Sequence, residues 1–230
     1  MNKVHAIYSR LTLSYVKQRT LLLILLVQSI VLSLVVLIFA NVIISNAYIT
    51  GELDYNQVRV FYTLSILILF VLVFVFTPYF LSNTLNKLYA NNIIEHFLSV
   101  RIGISDIVFA AFLRGLVSVL IMFFSALPII SISFYFGGIG LIKIIKLFIF
   151  LLCFILLLSS VTIYISSSII NSMSSMIVSY IICFILMLLH LFILNSVINF
   201  NHLIFVYFFI SILISISLLA MSCRTKIFSL

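Results

Sequence analysis

The chain has 230 residues, of which 66% are hydrophobic and 7% charged. No soluble fold has an interior large enough for that much apolar surface, whereas a bilayer acts as a solvent for it. The formal charge of +8 comes from twelve Lys and Arg against four acidic residues. These cations are dispersed beside apolar runs, a pattern of membrane topology signals that excludes a nucleic-acid patch.

Gly (6) and Pro (2) are scarce and the apolar runs are long and unbroken. That pattern predicts helices, which satisfy their own backbone groups in lipid, and not the alternating short segments of a membrane barrel. The expected class is all-α: a polytopic helical membrane protein, one transmembrane domain over residues 1–230, with no convincing internal repeat. Residues 1–20 carry Val4, Ile7, Leu11 and Tyr15 on one helical face and Lys3, Arg10 and Lys17 on another. This spacing predicts a cationic amphipathic helix lying in the interface, not a cleavable signal.

Six spans are expected at about 21–44, 60–81, 107–136, 147–165, 176–194 and 203–221. The longest polar interruption, 82–106, is read as a loop holding Glu95, Arg101 and Asp106. Within it, IIEHFLSV is expected to form a short amphipathic helix before a break at Gly103. Ser105 or Asp106 is expected to cap the third span. That span is too long for an upright crossing, so Pro128 should kink it and the turns around Arg114 should lie in the interface. GGIG at 137–140, SSSIINSMSS at 166–175 and NSVINFNH at 195–202 read as the later links.

Six spans put both termini on one side of the membrane. That side collects Lys3, Arg10, Lys17, Arg19, Lys87, Arg101, Arg114, Arg224 and Lys226, against Arg59, Lys143 and Lys146 on the other. The positive-inside bias then predicts a plasma-membrane protein with both termini and residues 82–106 in the cytoplasm. The pair Lys143 and Lys146 is discordant with that sum.

Several chemistries lack their residues. All four carboxylates lie in loops or at span ends, which weighs against an ion-coupled carrier. His5, His96, His190 and His202 are isolated from one another, and Cys153, Cys183 and Cys223 are far apart, so no metal site is expected. Neither a nucleophile elbow nor a phosphate-binding loop is present; if ATP is used, another chain must bind it. Gln28, Ser29 and Ser33 are expected to bind helix to helix. Arg114 and His190 are the in-span polar residues that could meet a cargo or form a gate. The plainer readings are a topology anchor for Arg114 and a hydrogen-bonded bundle residue for His190.

The stretch EHFLSVRIGISDIVFAAFLRG resembles the coupling segment of ABC type-2 export permeases. Glu95 matches the family glutamate, Phe97-Leu98 the apolar pair, and Asp106-Ile107 the acidic residue and isoleucine that open the third of six spans. The proline common in the intervening turn is missing, with Arg101 near its place. The resemblance implies a permease subunit that pairs with a second copy or a sister subunit and with cytoplasmic ATPase subunits. Those partners would bind ATP and Mg; this chain would bind no cofactor, and membrane lipids would surround it. Glu95, Phe97, Leu98, Arg101 and Asp106 would transmit ATPase closure to the spans and drive export of a peptide, lipid-like, drug or haem-like cargo. The alternative is a channel or facilitator working without ATP. An intramembrane enzyme comes third, because its catalytic constellation is missing.

Overall fold

The computed structural model describes residues 19–51, 55–90, 103–135, 140–169, 171–199 and 201–223, and the segments between and beyond them lie outside the description that follows. The described chain forms six helices: α1 (Arg19–Thr50), α2 (Tyr55–Ala90), α3 (Ile104–Tyr135), α4 (Leu141–Ser168), α5 (Ser172–Asn199) and α6 (Asn201–Ser222). Each is long and apolar enough to cross a membrane. The protein is an all-α, multi-pass membrane protein.

Helix α4 lies at the centre and packs on α2, α3, α5 and α6, while α1 sits at the edge against α3 and α2. From Phe150 to Ser167 almost every α4 residue is buried, including Phe150, Phe154 and Leu158 at 0% exposure. Lipid gives apolar helices no hydrophobic reason to associate, so close packing and interhelical hydrogen bonds must hold the bundle together. Both are visible around α4. The Ser166 hydroxyl donates to Ser82 Oγ on α2 at 3.0 Å, and Thr162 meets Cys183 on α5 at 3.7 Å. Phe70 of α2 packs on Phe154 with ring centroids 4.9 Å apart.

Proline is handled within the fold. Pro78 removes the donor for the Phe74 carbonyl in α2. Beside that gap, the Tyr180 hydroxyl of α5 donates to the Val75 carbonyl at 2.9 Å. A neighbouring helix thus supplies hydrogen bonding where the proline weakens it.

The helices run beyond the apolar stretches that mark them in the sequence. Residues 82–90, expected as loop, continue α2, and Ser82, Thr84 and Leu85 are buried. The reason is local: Thr84 Oγ1 donates to the Phe80 carbonyl at 2.6 Å and Ser82 accepts from Ser166, so these polar groups cost little inside a helix. The serine-rich link likewise shrinks to residues 169–171, with Ser166, Ser167 and Ser175 buried in the bundle. Lys143 and Lys146 lie in the first two turns of α4, and only residue 200 separates α5 from α6.

At the end of α1, Gly51 takes φ +74 and its N–H bonds the Ala47 carbonyl at 2.9 Å. This is an αL cap, a conformation that glycine adopts without a Cβ penalty. At the start of α3 the cap is Gly103, whose carbonyl accepts from Ile107 N at 3.3 Å, and not Ser105 or Asp106 as expected. Asp106 sits three residues inside, with Oδ2 folded back to 3.4 Å from where a Gly103 Cβ would stand. A carboxylate in that first turn still complements the positive end of the helix.

Candidate functional site

Among the described residues, two basic side chains are buried in the bundle, where a bilayer makes charge expensive: Arg114 on α3 and His190 on α5, at 6% and 3% exposure. Arg114 is buried ten residues into α3, or about 15 Å along the axis from the start of that helix at 1.5 Å per residue. The next residue meets α2. A Cβ on Gly115 would stand 2.5 Å from Leu81 Cγ and 3.3 Å from Leu81 Cα, so α2 and α3 approach at a distance only glycine permits. Arg114 stands next to that contact in the chain. Its backbone carbonyl accepts from the Ser118 hydroxyl at 3.2 Å.

His190 occupies the seam where α5 meets α4 and α6. Its ring lies 4.8 Å from Phe154 and 6.0 Å from Phe150, and 5.5 Å edge-on from Tyr207 of α6. Phe150 and Tyr207 stack at 4.6 Å. Nδ1 is 2.7 Å from the Leu186 carbonyl, and because a carbonyl only accepts, Nδ1 carries the proton and donates. Nε2 is buried with no hydrogen-bond partner among the described residues, as is the Tyr207 hydroxyl. A polar edge walled by aromatic rings is a place where a polarisable guest or a rearranged partner gains a hydrogen bond without stripping water first.

The two residues are not brought together. Counted from the start of each helix, Arg114 is about 15 Å along α3 and His190, eighteen residues into α5, about 27 Å. Arg114 neighbours the α2–α3 contact at Gly115 in sequence, and His190 belongs to the α4–α5–α6 seam.

Of the residues expected to couple to a partner, Asp106 is in the first turn of α3. Glu95, Phe97, Leu98 and Arg101 lie outside the described residues, as does the amphipathic segment before α1. Both flanks of that stretch are described: Ala90 ends α2 and Ile104 opens α3. These two helices share one of the most extensive contacts in the bundle, second only to α4 on α6.

The other in-span polar residues divide. Gln28 binds α1 to α3, its Nε2 donating to the Met122 carbonyl at 2.8 Å and to Ser125 Oγ at 3.3 Å. Ser29 and Ser33 do not bind helix to helix; they are exposed and donate to their own helix at Leu26 and Ile30. Comparison with protein-family models, curated proteins and solved structures returns no match.

Proposed function

We propose that this chain is the membrane-spanning permease subunit of an ATP-driven ABC exporter. In this reading it lies in the plasma membrane with both termini in the cytoplasm and works with a separate ATPase subunit and a second permease subunit. The observation that carries the reading is the segment between α2 and α3. It holds Glu95 and Phe97-Leu98, with Asp106 following in the first turn of α3, in the order that resembles a coupling segment, and it joins two helices packed on each other. The close approach at Gly115 and Leu81 supports a mechanical role. Two helices in backbone contact respond to a push at their shared end as a unit, because packed interfaces shift between discrete arrangements and do not deform continuously.

The push would pass from α2 and α3 into α4, which touches both, and on to the seam that holds His190. The chain itself supplies no phosphate-binding loop, so nucleotide chemistry belongs to the partner. The test is a pair of substitutions, Glu95→Ala and Phe97→Ala. Both should leave membrane insertion and yield unchanged while abolishing transport and stimulation of the co-purified ATPase. Normal ATPase stimulation in either variant would remove the coupling role. Failure of any ATPase to co-purify with the unaltered chain would instead favour a channel working without ATP.

A further inference from the structure

The chain from α4 to α6 reverses at each short link, so α4 and α6 run parallel and begin at the same membrane face. Between their first turns lies a groove of about 630 Å³, within the range of small-molecule sites. Ile149 forms one wall, and Phe205, Phe208 and Phe209 form the other. Its rim is open sideways: Phe205 is 67% and Phe209 64% exposed, so an occupant arrives from the bilayer and not from water.

The end of the groove is electropositive. Lys146 lines it, and Lys143 is one turn earlier on the same face of α4. Neither α4 nor α6 has an acidic residue in its first turn, and the α4 cap, Gly140, makes no side-chain hydrogen bond. The positive end of α4 therefore reinforces the two lysines, where negative charge is favoured. These are also the two cations that the topology count cannot place.

We propose that this groove holds one acyl chain of an anionic glycerophospholipid, with the headgroup phosphate at Lys143 and Lys146. Charge complementarity selects an anionic lipid, and the apolar, laterally open trough selects its chain. Phe205, Phe208 and Phe209 present flat, rigid faces that a flexible chain covers at little entropic cost to the protein. The site is independent of whether an ATPase partners the chain. It also explains why lysines stand at a face where the positive-inside bias disfavours them.

The chain contains no tryptophan, so one introduced residue is a clean reporter. Full-length Phe209→Trp is reconstituted in vesicles containing phosphatidylglycerol or phosphatidylcholine with brominated acyl chains, which quench tryptophan on contact. Ile185→Trp, on the exposed side of α5, is the reference. The expected result is a preference for the anionic lipid of about fivefold or more at 209 and no preference at 185. The pair Lys143→Gln and Lys146→Gln should abolish the preference at 209, and the pair of arginines should keep it. Equal quenching by both lipids at 209, the same ratio at 185, or a preference indifferent to the glutamines would each overturn the site.

Discussion

At the scale of single residues, the sequence marks cost and the structure supplies the compensation. Gln28 and His190 stand out in any reading, because a polar group in an apolar run demands a partner. What the run conceals is which partner. Gln28 reaches a carbonyl 94 positions away, and His190 settles on its own helix at Leu186 while its other nitrogen faces aromatic rings. Gly115 gives no signal at all, since small residues in apolar helices are common and the Leu81 side chain that needs the space belongs to another helix. That contact makes a prediction. Gly115→Ala should destabilise the bundle by about 1–3 kcal/mol, the range for overpacking a close contact. In a Leu81→Ala background the same change should cost at least about 1 kcal/mol less, because the clashing Cγ and Cδ1 are gone. Denaturant unfolding of the four proteins in one detergent measures the cycle. Strictly additive costs would mean that the two helices do not meet there.

Helices were legible as apolar runs and illegible at their ends. Polarity misleads when hydroxyls can be absorbed: Thr84, Ser166 and Ser175 read as loop, yet each bonds a backbone carbonyl or another helix and continues the element. The same local economy governs α2 at Pro78, where Tyr180 bonds Val75 across the gap. Tyr180→Phe should therefore cost about 0.5–1 kcal/mol, the ordinary worth of an interhelical hydrogen bond in a membrane. Pro78→Ala restores the N–H that the Phe74 carbonyl lacks and leaves Val75 as it was, so in that background the loss of the Tyr180 hydroxyl should cost the same. Thermal unfolding in detergent tests both. A cost that vanishes in the alanine background would show that the Tyr180 bond depends on the proline gap.

For the whole molecule, the count of crossings follows from bilayer thickness, since a ~30 Å core needs about 20 apolar residues per helix. The packing order does not follow, because helices apolar on every side carry no stripe that says which face turns inward. Nothing in the residues of α4 singles it out as the centre; only its contacts with α2, α3, α5 and α6 do. The proposed orientation rests on charge alone and has a direct test in the native cysteines. Cys153 and Cys183 are buried in the bundle, and Cys223, one residue past the end of α6, is only partly covered. A membrane-impermeant maleimide should therefore label Cys223 alone. Burial raises the Cys223 thiol above its ordinary pKa, with the Ser222 hydrogen bond opposing. The thiolate is the reacting form, so a raised pKa leaves less of it near neutrality and labelling should accelerate as the buffer is made more alkaline. With the C-terminus in the cytoplasm, inside-out vesicles should be labelled and right-side-out vesicles should not, until detergent is added. Labelling of sealed right-side-out vesicles at the same rate would invert the orientation. It would place the segment around Glu95 beyond the reach of any cytoplasmic ATPase, and the coupling proposal would fall with it.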